Sequence, residues 1–412
     1  MQNLGRRVLD RLPADPPAFW PRFRSPLQTV AVTARVGRVL GVCFGVCFIT
    51  GLLSHYQYGP WSWLPEPASP VWGYRLTQGI HVTTGIATIP LILLKLWSVY
   101  PRLFAWPPVR SALHGVERLS IAVFVFSALL ELMTGFINIL NWYPWPWFFT
   151  SVHYALAWIV IGSLVLHIAV KLPLIRMGLS TPIAPATDHD DHDTDEDNDD
   201  SRGARSVDRV DPGVTRRSVL VASGAGSALV VATTVGATFT PLQSIALLAV
   251  RRAEDATELG VPINRTAKDA STTRVDIPVF VRSSDYRLAV IGPQPFDLDL
   301  AALEALPTVR RTFPIACVEG WSVSAHWEGH PLIDIVRRAG GDSDSVVHVE
   351  SVEPAGIYNH SKIFGPQLAD ALLATHLNGA RLTDDHGFPI RLIAPNRAGV
   401  LNTKWLQRIE IS

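Results

Sequence analysis

Four apolar stretches open the chain, near Val30–Leu53, Gln78–Val99, Glu117–Leu140 and Phe149–Lys171. Each approaches the roughly 20 residues that a helix needs to cross hydrocarbon. A fifth, from about Ser218 to Phe239, is richer in Gly, Ala, Ser and Thr. Beyond about Val261 the pattern changes to short runs of mixed polarity. Tyr286–Ile291 reads as a strand, and Val346–Val352 alternates like one. Leu298–Leu306 and Pro331–Ala339 carry apolar residues at helical spacing. Leu377-Asn378-Gly379-Ala380 predicts a tight hairpin, because Asn-Gly tolerates positive φ. Phe388–Ala394 and Lys404–Ile411 read as closing strands. The pattern predicts a membrane α-helical bundle, four spans plus a fifth tethering span, followed by an α+β domain.

Composition supports the membrane reading. Of 412 residues, 48% are hydrophobic, and they concentrate in the first half in span-length runs rather than spreading over one large soluble core. The formal net charge is +0, so the distribution of charge is what informs. No Lys/Arg-rich patch interleaved with aromatics marks a nucleic-acid partner. The N-terminus is basic (Arg6, Arg7, Arg11, Arg22, Arg24, Arg35, Arg38) and is expected in the cytoplasm. The loops His55–Arg75 and Asn141–Phe149 are rich in aromatics, among them Trp61, Trp63, Trp72, Trp142, Tyr143, Trp145 and Trp147, and are expected outside. Lys95, Arg102, Arg110, Lys171 and Arg176 fall on the inner turns, so the assignments alternate. Asp188–Asp200 is almost all Asp. Its self-repulsion predicts a disordered linker, a commoner case than a metal site at His189 and His192.

These signals divide the chain into a cytoplasmic N-terminus (1–29), a four-helix membrane domain (30–179), an acidic linker (180–214), a fifth span (215–240) and an extracytoplasmic domain (241–412). Thr215-Arg216-Arg217-Ser218-Val219-Leu220 at the fifth span resembles a twin-arginine export signal. An ordinary positive-inside flank is the plainer reading, and both send everything after Phe239 outside. Three Cys occur, too few and too scattered for a disulfide framework. Cys43 and Cys47 share a helix face and read as small packing residues.

Cys317 stands apart, in Ile315-Ala316-Cys317-Val318-Glu319-Gly320-Trp321-Ser322, at a strand end before a glycine-containing turn. By itself this is a buried thiol. Trp327, Gly329 and Leu332 follow, then Asn378-Gly379, His386-Gly387-Phe388-Pro389, Arg391-Leu392 and Thr403-Lys404-Trp405. This ordered series, over about Val261–Ser412, resembles the sulfite-oxidase-like molybdopterin family, including its periplasmic methionine-sulfoxide-reductase branch. The resemblance implies an α+β molybdopterin-binding domain in which Cys317 is the thiolate ligand of molybdenum. A thiolate is a soft donor suited to a redox metal. The resemblance also places Pro262-Ile263-Asn264-Arg265-Thr266-Ala267 at the pterin pocket, with Asn264, Arg265 and Thr266 bonding the pterin edge and Tyr358 and Ser361 lining it. Arg391, Arg397 and Lys404 fall in matching loops and could bind the pterin phosphate by charge-assisted hydrogen bonds. Glu319 matches a position near the metal and could move a proton. His326 and His386 could do the same but read more simply as structural. Two departures stand out. The family's additional C-terminal dimerisation domain is not expected, and the arginine cluster of true sulfite oxidases is not evident around Cys317.

The spans carry a second candidate. His153 and His167 lie fourteen residues apart on the fourth span, roughly 21 Å at helical rise, on nearly one face. His81 opens the second span at the outer side, and His114 precedes the third at the inner side. Depth alone pairs His81 with His153 and His114 with His167, the arrangement that bis-histidine haem needs. In architecture and His spacing this resembles di-haem cytochromes b over about Val30–Lys171, which implies haem b. Interfacial histidines that merely solvate helix ends are the plainer reading. His55 is a rival outer ligand or part of a quinone pocket, and Glu131 within the third span is either a proton or quinone group or a structural acid.

The combined expectation is a multi-pass protein of the cell membrane with its catalytic domain on the extracytoplasmic side. It would transfer oxygen atoms to or from a small oxo-substrate such as a sulfoxide or sulfite, exchanging electrons with quinone or another membrane carrier through haem. The alternatives are a sulfite dehydrogenase, a molybdoenzyme anchored by a haem-free bundle, or a cofactor-free binding module.

Overall fold

The structure is a computed structural model describing residues 16–17, 19, 25, 27–61, 63–140, 142, 147, 149–183, 215–249, 258–263, 265–267, 276–354, 356 and 358–412. The basic residues before Pro16, the acidic segment with His189 and His192, Tyr143, Trp145 and Asn264 lie outside the described residues.

Five helices are long and apolar enough to cross a membrane. They are α1 (Val30–Tyr58), α2 (Gly73–Leu103), α3 (Ala112–Ile139), α4 (Phe149–Ser180) and α5 (Arg216–Thr234). The first four outrun the apolar stretches that predict them, because backbone hydrogen bonding continues into polar flanks until a breaker stops it. Gly59-Pro60 does so after α1. His114 consequently sits in the first turn of α3 instead of before it, and His81 lies well inside α2.

Contacts divide the chain into two compact units. The first comprises Met1–Gly45, Ile86–Leu132 and Leu156–Val230. Its core is a cluster of Leu40, Phe44, Leu91, Ile92, Ala128, Val160 and Leu164. Polar side chains tie its helices to one another's backbones. Lys95 Nζ donates to Thr33 O at 2.8 Å, Arg35 Nη1 to Gly178 O at 3.0 Å and Ser227 Oγ to Ala87 O at 3.1 Å. Lys171 pairs with Glu117. Val42, Phe126 and Val165 point outward, 62%, 70% and 61% exposed. An apolar exterior over a modest core suits a hydrocarbon surround.

The second unit comprises Val46–Gly85, Met133–Ala155 and Val231–Ser412. It contains two five-stranded sheets. One has the order β2 (Phe296–Leu298), β1 (Leu288–Ile291), β10 (Leu406–Ile411), β5 (Val347–Ser351), β6 (His360–Ile363), with β1 and β10 parallel. The other has the order β3 (Val309–Ala316), β4 (Ser322–Pro331), β7 (Leu372–Leu377), β8 (Ala380–Arg381), with β9 (Arg391–Ile393) also pairing β7. Val347 and Val349 on β5, Leu372 and Leu373 on β7 and the indoles of Trp327 and Trp405 fill one continuous core. Each such aliphatic side chain contributes about 1.5–3 kcal/mol on burial.

The expected elements are present with trimmed ends, each for a local reason. Asp299 caps the helix Leu300–Glu304 by accepting from Ala302 N at 2.8 Å, so Leu298 belongs to β2 instead of the helix. Pro389 has no N–H for a ladder, and β9 begins only at Arg391. Trp405 has φ 54°, and β10 begins after it. The Asn378-Gly379 hairpin joins β7 to β8 with φ 51° and 87°. The β3–β4 hairpin carries Cys317; the sequence reading has its turn and the strand end before it, but not the two full strands.

Candidate active site

Cys317 lies in the five-residue connection between β3 and β4, 1% exposed. Its N–H donates to Trp321 O at 2.9 Å, and Gly320 N–H donates to Cys317 O at 3.1 Å. The turn closes because Gly320 adopts φ 86°, which a side chain at that position would strain. Glu319 is buried and accepts a bond from Trp321 Nε1 at 3.0 Å, which fixes its carboxylate in the turn. Two side chains clamp the hairpin from outside it. Asn138 Nδ2, on α3, donates to Val318 O at 2.8 Å, and Thr238 Oγ1 donates to Gly320 O. Neither clamp carries a local sequence signal.

A second group gathers buried cations. Arg391 donates to His386 O and Asn402 O, both at 3.0 Å, while its Nε has no partner among the described residues. Lys404 Nζ donates to Arg265 O at 2.5 Å and Asp385 O at 2.9 Å. Arg397 donates to Leu401 O, Gln367 Oε1 and Lys362 O at 3.1, 2.9 and 2.7 Å. Burial pushes Arg391 down to about 9 and Arg397 to about 10, the latter opposed by nearby Glu66. Burial, then repulsion from Arg391, holds Lys404 well below the ordinary lysine range. All three cations hydrogen-bond neutral oxygens, which leaves much of their desolvation cost uncompensated. Such a cluster fits an anionic group, phosphate included.

The other expected residues lie around these. Arg265 pairs with buried Glu353 at 2.6 Å. Burial raises the Glu353 carboxyl, and Arg265 opposes that shift. Thr266 follows Arg265, and Ala267 N–H donates to Asp385 Oδ1 at 2.7 Å, which docks the segment beside Lys404. Ser361 Oγ donates to Leu401 O at 3.0 Å and lies 2.8 Å from Thr403 Oγ1. Tyr358 lies within electrostatic range of Cys317. His386 bonds Val261 O at 3.0 Å and Thr383 Oγ1 at 2.7 Å, and burial lowers it to about 4. Both of its ring nitrogens are thus engaged by neutral oxygens. His326 bonds Thr312 Oγ1 at 2.9 Å on the exposed side of the β3–β4 hairpin.

The histidines divide. The rings of His81 and His153 lie 6.1 Å apart between centroids, with planes at 78°. Two imidazoles on opposite sides of one metal, each about 2 Å from it, have centroids about 6 Å apart. His81 Nδ1 lies 2.9 Å from Cys47 O and 3.5 Å from Cys47 Sγ. His153 Nδ1 lies 3.0 Å from Thr134 Oγ1. The partner of His81 Nδ1 is a carbonyl, so Nδ1 carries the proton and Nε2 is the basic nitrogen, as metal-binding histidines require. A Cβ on Gly51 would sit 3.1 Å from the His81 ring, and one on Gly135 would sit 3.3 Å from that of His153, so both rings lie against bare backbone. Cys47, read from the sequence as packing, is thus a neighbour of His81. His55 stacks on Tyr154 at 3.7 Å. Elsewhere, His114 Nδ1 accepts from Arg110 N at 3.1 Å, and His167 stacks on Phe124 at 5.5 Å. No ring contact joins His114 to His167 among the described residues. Nor do three or more His, Cys, Asp or Glu side chains gather there as a metal cluster. A haem needs only two protein ligands, and a pterin-bound metal only one.

Comparison with known proteins bears on the C-terminal part. Residues 274–412 match the family model of the oxidoreductase molybdopterin binding domain. Sulfite oxidase of Gallus gallus is 32% identical over 180 residues, 36% of this chain and 39% of that protein. Mitochondrial sulfite oxidase of Drosophila melanogaster is 32% identical over 165 residues, 33% of this chain and 28% of that protein. An uncharacterized oxidoreductase of Bacillus subtilis, YuiH, is 29% identical over 143 residues, 33% of this chain and 70% of that protein. The chain thus spans well under half the length of the two sulfite oxidases it matches. The sulfane dehydrogenase SoxCD from Paracoccus pantotrophus shares 23% identity over 31% of this chain and 38% of that one, at a TM-score of 0.29. From residue 274 to its end, the chain is a molybdopterin-binding oxidoreductase domain of the sulfite oxidase type.

Proposed function

We propose that the chain is a membrane-bound molybdenum oxidoreductase that acts on an oxo-substrate outside the cytoplasm, with Cys317 as the metal's thiolate ligand and with electrons exchanged with quinone through haem b. The observation that carries this reading is the buried Cys317, held at the tip of a clamped hairpin in the matched domain. The molybdenum–pterin group, when bound, supplies two-electron oxygen-atom transfer. The chain's own residues do the remainder. Arg391 and Lys404, buried on neutral oxygens, hold the pterin phosphate, and Arg397 adds its charge. Arg265, Thr266, Tyr358 and Ser361 line the pterin, and Asn264 belongs to the same set by sequence. Glu319, steadied by Trp321, holds or passes a proton two residues from the ligand.

The haem reading rests on His81 and His153, supported by their ring separation and their hydrogen-bonded Nδ1 atoms. Bis-histidine haem at His114 and His167 is supported by depth in the sequence alone. The extracytoplasmic placement rests on charge bias and on the arginine pair before α5.

Reduction of a neutral sulfoxide is the first reading of the reaction. Oxidation of sulfite is the second, favoured by the names of the relatives at 32% identity. Metal and haem analysis of the purified full chain, with its optical spectrum, tests the whole. Molybdenum near one per chain and a Soret band are expected. Cys317→Ala should lose molybdenum and activity yet remain in the membrane fraction. A fully active Cys317→Ala enzyme would remove the ligand assignment. Steady-state assays with methionine sulfoxide and with sulfite separate the two reactions.

A further inference from the structure

Two ionisable groups in the first unit are left incompletely satisfied. His167, on α4, has its Nδ1 shielded from solvent and without a hydrogen-bond partner among the described residues. Lys95, on α2, donates to Thr33 O at 2.8 Å, and its charge meets no carboxylate among the described residues. Its ammonium lies over bare backbone, because a Cβ on Gly37 would sit 2.7 Å from Nζ. The two residues are within electrostatic range of each other. Ionisable residues inside apolar helices are costly to keep and mark binding or transfer sites. An unmet imidazole nitrogen near such an ammonium calls for a ligand that carries oxygen.

The surroundings specify the rest of that ligand. The His167 ring stacks on Phe124 at 5.5 Å with planes 26° apart, and Phe124 meets Phe44 at 6.5 Å. Both phenylalanines pack in the apolar cluster with Leu40, Leu91 and Leu164. Flat aromatic walls suit a flat ring, and a mostly apolar lining with a few polar groups suits a small molecule. On α4 the neighbouring Val165, Leu166 and Val170 are exposed, so the site borders the apolar exterior, from which a lipid-soluble molecule would enter. A phospholipid phosphate would meet Lys95 but would leave the imidazole and the aromatic walls unused.

We propose that His167, Lys95 and Phe124 form the site for the headgroup of a quinone or quinol, with His167 Nδ1 meeting one ring oxygen and Lys95 Nζ the other. Oxidation of the quinol breaks both O–H bonds. Two electrons pass to the haem, and two protons leave, the first taken by His167 and both released to water. An imidazole suits both ends of this step, since its nitrogen can accept from a hydroxyl or donate to a carbonyl. His167 is thereby assigned to quinone instead of to an inner haem. This inference rests on the reading that quinone exchanges electrons with the chain.

The test uses the full chain purified in detergent, with His167→Phe and Lys95→Met. It reads haem per chain, binding of a fluorescent heptyl-hydroxyquinoline N-oxide by quenching, displacement of that probe by a short-chain quinone, and the rate at which short-chain quinol reduces the haem. Wild type is expected to bind the probe and to lose it to quinone. Each variant should keep wild-type haem, bind the probe about tenfold more weakly and be reduced about tenfold more slowly at low quinol. Wild-type binding and rates in both variants overturn the site and leave the quinone reading intact. Loss of haem from His167→Phe overturns it in favour of an inner haem ligand. Release of the probe to phosphatidylglycerol, but not to quinone, overturns it in favour of a lipid headgroup. A wild-type chain that neither binds the probe nor accepts electrons from quinol overturns it together with the quinone reading. Lys95→Met decides alone if His167→Phe does not accumulate.

Discussion

His81 with His153, and His114 with His167, are equivalent in the sequence: two histidines at matched depth on two spans in each case. The structure separates them by what surrounds the rings. The first pair has ring centroids 6.1 Å apart, with each Nδ1 engaged by a neighbouring oxygen and each ring against a glycine. In the other pair, His167 Nδ1 is buried with no hydrogen-bond partner among the described residues, and His114 Nδ1 caps its own helix start through Arg110 N. Residue type and depth can propose a ligand. Only the groups that fix its tautomer and clear space for a flat macrocycle distinguish it from an interfacial histidine.

The largest expected effect is a direct break of this comparison. His81→Ala and His153→Ala should each abolish the low-spin bis-histidine haem spectrum of the purified chain, because one remaining ligand cannot replace the pair. His114→Ala and His167→Ala should retain that spectrum. Equal loss from all four would mean that two haems are bound and that the inner site assembles only around its cofactor. Retention in all four would place the haem ligands elsewhere, and a wild-type chain without a Soret band would leave an anchoring bundle.

How much of this was legible in the sequence depends on whether the signal was local. The long helices were legible because each carries an apolar run long enough to cross a membrane. The β7–β8 turn was legible because Asn378 and Gly379 both need positive φ, and the strand-end setting of Cys317 because Gly320 marks the turn. Strand β3 was not, since Val309–Ala316 mixes two arginines, a threonine and Pro314. Pro314 is tolerated because β3 is an edge strand, which only the sheet order reveals. Tyr58 and Tyr74 look like interfacial aromatics at span ends, and Asn138 like an ordinary polar terminus. Asn138 and Tyr74 are held by contacts with residues 180 and 322 positions away in the chain. Cys47 was legible as a small residue on a packed face but not as the neighbour of His81.

The His81–His153 pair differs from the His114–His167 pair in a further respect, its tie to the cysteine hairpin. On α3, Thr134 contacts His153, and one turn later Asn138 holds Val318, next to Cys317. Asn138→Ala leaves a carbonyl without its donor, worth about 1–3 kcal/mol. Haem and molybdenum contents should stay at wild-type levels, while reoxidation of reduced haem by substrate, followed in stopped flow, slows about tenfold. An unchanged rate would reduce Asn138 to a packing residue and remove this asymmetry between the two pairs.

The acids offer the smallest effect and the finest contrast. Glu117, in the first unit, pairs with Lys171. Glu66, in the second, is 4% exposed, and burial raises it to about 7 despite attraction from Arg397 and hydrogen bonding from Gln367 and Gln57. The sign follows from which state keeps the proton. Below pH 4.5 the folded and unfolded chains are both protonated at this site, and it contributes nothing. Between 4.5 and about 7 only the folded chain retains the proton, so stability falls as pH rises, and above 7 the cost is constant at about 3 kcal/mol. Glu66→Gln removes the ionisation. Its unfolding midpoint in detergent should exceed that of wild type by a few degrees at pH 8, and the two should converge near pH 4.5. A variant less stable than wild type at pH 8 would show Glu66 ionised and paired with Arg397. Glu66 would then resemble Glu117 in its charge chemistry, and Arg397 would be committed to a carboxylate instead of a phosphate.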